Sequence, residues 1–111
     1  MSDTFVWFHN YSENPENSRT FYETLLGWKA SEGPGMTLFS GATGPIAGMG
    51  AKDGGTAGWL PYVQVDDVDA ATKKAVRLGA TLVKEKTRGP AGEFTVVADP
   101  GGAAIALWHK A

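Results

Sequence analysis

Within this 111-residue chain, two histidines, twelve acidic side chains and four tryptophans are the groups with usable chemistry. His9 comes first. It follows Trp7 by two residues in the run FVWFHNY, residues 5–11, which is aromatic and favours a strand. The period of two puts Phe5, Trp7, His9 and Tyr11 on one face and Val6, Phe8 and Asn10 on the other. An imidazole ordinarily titrates near neutrality, so His9 could serve as a general base or donate to a ligand oxygen. It could equally be a hydrogen-bonded polar residue in a half-buried strand. Glu93, just before the strand-like run Phe94 to Ala98, is the carboxylate that could orient it, which makes His9 and Glu93 the candidate catalytic residues. His109 has the opposite strand parity to Trp108 and reads as a surface residue.

Aromatic residues form the second group. Trp7, Trp59, Tyr62 and Trp108, with Met36, Phe39 and Met49 as neighbours, would line a mostly apolar cleft with a few polar tips, the usual make-up of a small-molecule site. The alternative is that they fill a core or a dimer interface. Trp59 conflicts in parity with Leu60 and Tyr62, which places it at the rim, and Trp28 reads as structural. Gln64 shares a face with Leu60 and Tyr62, and could bond a ligand or a neighbouring strand. Asp66, Asp67 and Asp69 look like a calcium cluster but lack the glycine and distal Glu of an EF-hand loop; their place at a helix start explains them through capping and the helix dipole. The lysines and arginines at 73, 74, 77, 84, 86 and 88 read as a solvated face.

These groups must be positioned by short elements. Asn14 is a good N-cap and Pro15 fits the first helical position. Ser18, Phe21, Tyr22, Leu25 and Leu26 form one side of the helix, and Gly27 ends it. Strands are expected over 29–32, 36–40 and 46–51, separated by Gly33-Pro34-Gly35 and by the turn 41–45. The glycine-rich segment 52–58 reads as a flexible linker. A strand over 59–65 leads to a helix capped by Asp66 or Asp67, with an apolar stripe of Val68, Ala71, Ala75, Val76 and Leu78 stopped by Gly79. Strands over 81–86, 94–98 and 103–108 follow, the last two joined by the strong turn Asp99-Pro100-Gly101-Gly102.

The order is βαβββ twice, an α+β plan. Leu26-Gly27 and Leu78-Gly79 align at an offset of 52, and the helix starts Asn14 and Asp67 at 53, which points to an internal duplication. The chain is long enough for one domain, with module 1 about 1–52 and module 2 about 57–111. A net charge of −2 with no basic run argues against a nucleic-acid partner. No cysteine means no disulfide, thiolate zinc site or thiol nucleophile, and the composition suits a cytoplasmic protein. Met1-Ser2-Asp3 carries neither a basic segment nor an apolar run, so no signal peptide is expected. No apolar stretch is long enough for a membrane helix.

Trp7-Phe8-His9, Asn14-Pro15, Phe21-Tyr22 and Leu25-Leu26-Gly27-Trp28 resemble the glyoxalase/bleomycin-resistance/dioxygenase group, the vicinal oxygen chelate superfamily. So do Val65-Asp66-Asp67-Val68-Asp69-Ala70, Leu78-Gly79-Ala80 and Asp99-Pro100-Gly101-Gly102 in the second half. The resemblance implies two βαβββ modules whose sheets curve into a partly closed, barrel-like arrangement, helices outside and a small-molecule site in the concavity, and a homodimer. Metal-dependent members carry two His and one Glu at positions that fall here on Trp7, Leu60 and Ala106. None can ligate a divalent ion, so no metal and no other cofactor is expected. The implied ligand-binding set is Trp7, His9, Leu60, Tyr62, Gln64, Ala106 and Trp108. The expected function is binding of a small, partly apolar molecule, as in sequestration. The alternative is a lyase, isomerase or dioxygenase using His9 as acid/base or as an atypical metal ligand.

Overall fold

The computed structural model describes residues 4–52, 57–89 and 91–111. Met1 to Asp3 and the middle of the expected glycine-rich linker lie outside those residues. The elements are β1 (Phe5–Ser12), α1 (Pro15–Leu26), β2 (Lys29–Gly33), β3 (Met36–Gly41), β4 (Gly44–Ala51), β5 (Gly58–Gln64), α2 (Val68–Arg77), β6 (Thr81–Arg88), β7 (Gly92–Ala98) and β8 (Ala104–Lys110). Both βαβββ runs are therefore present. Four boundaries move by two residues: β4 starts at Gly44, absorbing part of the expected turn, β6 runs on to Arg88, β7 starts at Gly92, and β8 runs on through His109 to Lys110.

The chain divides into two compact units, residues 7–60 and residues 1–6 with 61–111. In the first, the strands lie in the order β2-β3-β4-β1, and in the second β6-β7-β8-β5. The same relation recurs in each: three consecutive antiparallel strands, then a parallel pairing of the last with the first, β4 with β1 and β8 with β5. That correspondence is what a duplication requires. Among the described residues, β2 ends the strand order of the first unit and β6 that of the second, each with one strand neighbour. No described helix is long and apolar enough to cross a membrane.

Local chemistry explains both helix starts. The Asn14 side chain accepts from Asn17 N–H at 3.2 Å, with Pro15 opening α1. Asp67 accepts from Ala70 N–H at 3.0 Å at the start of α2. Each satisfies a backbone donor that the helix itself leaves free. Gly27 closes α1 at φ 70°, a conformation that glycine adopts without a Cβ penalty.

The face α1 turns to its sheet differs from the expected one. Phe21, Leu25 and Leu26 are 55%, 61% and 50% exposed, while Ser18 and Tyr22 face the strands. The buried side of β1 explains the rotation. Asn10 and Ser12 are buried there and must find partners: Ser12 Oγ lies 2.6 Å from Ser18 Oγ, and Asn10 Nδ2 donates to the Tyr22 hydroxyl at 3.4 Å. Around Tyr22 sit Trp28, Phe39 and Trp59, with ring centroids 5.4, 5.7 and 5.6 Å away. Phe39 and Met49 are essentially sealed from solvent, each worth roughly 1.5–3 kcal/mol of apolar burial. In the second unit, Val68, Val96, Val97 and Leu107 fill the core, and Thr72 Oγ1 meets Thr95 Oγ1 at 2.7 Å. Val76 and Leu78, expected in the α2 stripe, are exposed instead.

The hydroxyl of Tyr22 accepts from both Asn10 and the Trp59 indole N–H, the latter at 3.1 Å. Tyr22→Phe should therefore cost about 1–2 kcal/mol in urea unfolding, since it strands the donor of buried Asn10. Leu25→Gln should cost less than about 0.5 kcal/mol; a larger loss at Leu25 than at Tyr22 would contradict this helix orientation.

Candidate functional site

Because Asn10 and Ser12 point toward α1, the alternate residues Trp7, His9 and Tyr11 occupy the opposite face of β1. The parallel ladder sets His9 against Gly48 and Tyr11 against Gly50 on β4, and the next strand sets Leu38 against Gly48. The two glycines matter because of what leans over them. A methyl group built on Gly48 would lie 2.8 Å from Met36 Sδ, 2.9 Å from His9 Nδ1 and 3.2 Å from Trp7 Cζ2. One built on Gly50 would lie 3.4 Å from His9 Nε2. The imidazole thus crosses the bare backbone of β4, flanked by Trp7 and Met36, and its ring centroid is 4.6 Å from that of Tyr11.

His9 is only 9% exposed, and no described residue hydrogen-bonds its ring. No fully buried side-chain nitrogen or oxygen among the described residues lacks a partner, so the His9 nitrogens keep an opening to the outside. Burial lowers its pKa from 6.5 to about 4, because the charged ring would lose water and gain no carboxylate. At pH 7 it is a neutral imidazole, one nitrogen a donor and the other an acceptor.

In the second unit, Tyr62 pairs with Ala106 and Gln64 with Trp108, and Val96 and Phe94 continue those rungs on β7. All therefore share one face. The Tyr62 ring lies 5.3 Å from that of Phe94, and Lys84 Nζ stands 6.0 Å from the Phe94 centroid. Ala106 is fully buried. Leu60 groups with the first unit and is also buried.

Glu93 has the other parity, level with His109, and meets Lys86 at 3.6 Å and Arg88 at 3.7 Å. Lys86 also reaches Asp69 of α2 at 3.0 Å, so the Glu93 carboxylate belongs to an ion-pair group on the α2 side. His109, expected at the surface, is half-buried: its Nδ1 donates to the Val65 carbonyl at 2.9 Å. Phe39, Met49 and Trp59, grouped with the cleft aromatics in the sequence reading, belong to the α1 side of the first unit, where Trp28 stands as the expected structural residue. Sequence reasoning missed Leu38, Gly48, Gly50 and Phe94. The usable signal was the alternation Gly48-Met49-Gly50 within a strand, which marks a close approach.

The family model described as a glyoxalase-like domain matches residues 7–108. The chain belongs to the glyoxalase-like family. "Putative glyoxylase CFP32" of Mycobacterium bovis is 33% identical over 93% of this chain and 44% of its own length. The anthracycline biosynthesis protein DnrV of Streptomyces peucetius is 29% identical over 95% and 46%. The chain thus spans less than half the length of these relatives. A glyoxalase/bleomycin resistance protein/dioxygenase superfamily member from Vibrio splendidus shares the fold, with a TM-score of 0.66 at 14% identity, covering 97% of this chain and all of that one.

In this glyoxalase-like chain the family's metal does not fit the residues present. The ligand positions hold Trp7, Leu60 and Ala106, which carry no donor suited to a divalent ion. Among the described residues, no three His, Asp or Glu side chains gather into a group that could hold one.

Two outcomes follow from the His9 geometry. Gly48→Ala should destabilise the fold by about 1–3 kcal/mol in urea unfolding, because Met36, His9 and Trp7 must all yield. Gly41→Ala, where the added methyl meets Ile46 at an ordinary 3.7 Å, should be near neutral. The His9 pKa is depressed in the folded state, so its contribution to stability is full above 6.5 and is lost as pH falls toward about 4. The loss approaches about 3 kcal/mol by linkage. Unfolding curves of wild type and His9→Gln should diverge in that window; parallel pH profiles would refute the neutral assignment.

Proposed function

We propose that this glyoxalase-like chain binds a small, partly apolar organic molecule without the family metal, and that the Trp7–His9–Tyr11 face is where binding begins. The carrying observation is the nine-tenths-buried His9 ring, which no described residue hydrogen-bonds, set among aromatic and thioether side chains. A buried polar group without a protein partner is costly unless something else bonds it, and a ligand supplies that bond. Tyr62, Gln64, Ala106 and Trp108 offer a similar apolar surface with one amide tip in the second unit and belong to the proposed ligand-binding set, as does Leu60. The cytoplasmic setting proposed with it is supported by a chain without cysteine, and the homodimer by the habit of the family.

A second reading, an enzyme of the same superfamily, is favoured by the glyoxylase name of the CFP32 relative. Under it His9 acts as acid or base. Its low pKa makes it a weak base, and Glu93 is already engaged by Lys86 and Arg88, so binding is the better supported of the two.

An anthracycline is a reasonable first probe, given the DnrV relative, alongside smaller fused-ring compounds. In titration calorimetry Trp7→Ala should weaken whichever probe binds by at least about tenfold, or 1.4 kcal/mol. Equal affinity in the variant would remove this face from the proposal. Turnover of a bound compound that disappears in His9→Gln with affinity intact would establish the enzyme reading instead.

A further inference from the structure

The charge distribution around His9 narrows the ligand. On this face of the first unit, β1 presents Trp7, His9 and Tyr11, β3 presents Met36 and Leu38, and β4 presents Gly48 and Gly50. None of these carries a charge at neutral pH. The ionised groups of the first unit's described residues stand at the margins of this face or beyond it. Lys52, just past the end of β4, pairs with Glu13 at 3.5 Å, and Lys29 is exposed at the start of edge strand β2. Glu32 is engaged by Arg19 of α1 at 3.6 Å, on the other side of the sheet. An anion brought onto the Trp7–His9–Tyr11 face would lose its water and, among the described residues of the first unit, meet no cation on β1, β3 or β4, since Lys29 shares the face only from the far edge strand, and a cation would meet no carboxylate on those strands. The shape of the face adds a second restriction. With no Cβ at Gly48 or Gly50, His9 lies close over β4 beside Trp7, Tyr11 and the Met36 thioether.

We infer that the part of the ligand held over the Trp7–His9–Tyr11 face is a flat, uncharged ring system bearing a hydroxyl or amide group that bonds the His9 ring. This rests on the ligand-binding reading of the same face. Ring edges and a polarisable sulfur favour flat apolar surface. A neutral imidazole offers one acceptor and one donor, which a phenol, an enol or an amide can satisfy and a bare hydrocarbon cannot. A carboxylate could use only the donor, with its charge left uncompensated.

Three probes of one shape separate the possibilities: 2-naphthol, 2-naphthoate and naphthalene, titrated at pH 7 while the Trp7 indole N–H resonance is followed by NMR. The expected result is that 2-naphthol binds at least about tenfold more tightly than either of the others. His9→Phe, which keeps a flat ring but removes both nitrogens, should reduce 2-naphthol to the affinity of naphthalene. His9→Gln, which keeps a donor and an acceptor, should retain part of the preference. Binding of 2-naphthoate as tight as that of 2-naphthol, with the Trp7 signal shifting, would overturn the inference while leaving the site itself standing. An unchanged preference for 2-naphthol over naphthalene in His9→Phe would do the same. No shift of the Trp7 resonance with any probe would overturn both this inference and the binding site it rests on. The comparison of the three probes needs only the wild-type chain, so it stands even if a variant fails to fold.

Discussion

The arrangement of the first unit depends on a steric constraint at Gly48. The parallel ladder between β1 and β4 sets that residue directly beside His9, and the backbone there has to be bare for Met36, His9 and Trp7 to converge on it. A Cβ at that point would sit within 3.2 Å of all three. Packed interiors transmit such a displacement instead of absorbing it, so the placement of the imidazole follows from an absent side chain on a different strand.

The alternation of β1 separates two kinds of work. Its even positions, Asn10 and Ser12, face α1 and are satisfied by Tyr22 and Ser18. Those bonds decide which side of α1 turns inward, and an aromatic group of Tyr22, Trp28, Phe39 and Trp59 closes around them. The odd positions carry the candidate site. On the other side, His9 has no hydrogen-bond partner among the described residues, and burial lowers its pKa. Neutrality follows from burial alone, and it distinguishes this ring from a histidine held beside a carboxylate, which would be pushed the other way.

The glyoxalase-like fold supplies the scaffold, and binding without an ion is the reading proposed for this chain. Trp7, Leu60 and Ala106 replace donors with apolar surface, two of them buried to near completion. Within the first unit, an uncharged histidine among aromatic rings gives a charged ligand little reason to enter, which is the basis of the proposed binding.

Much of this was legible in the residues. The duplicated βαβββ order, the caps at Asn14 and Asp67, the stop at Gly27 and the shared face of Trp7 and His9 all follow from local rules: capping chemistry, backbone freedom at glycine and the period of a strand. The α1 stripe differs because apolar spacing suggests Phe21 and Leu25, whereas buried Asn10 and Ser12, on the preceding strand and outside the helix pattern, require Ser18 and Tyr22. Glu93, read as a possible partner for His9, meets Lys86, which also reaches Asp69 of α2, an ion pairing that strand spacing alone does not reveal. The sequence by itself determined the repeated elements and the chemistry available to His9, because each depends on residue type and near neighbours. Only the tertiary structure decided that His9 is neutral and lies over Gly48 and Gly50, because burial and the facing strand depend on pairing between segments about forty residues apart in the chain.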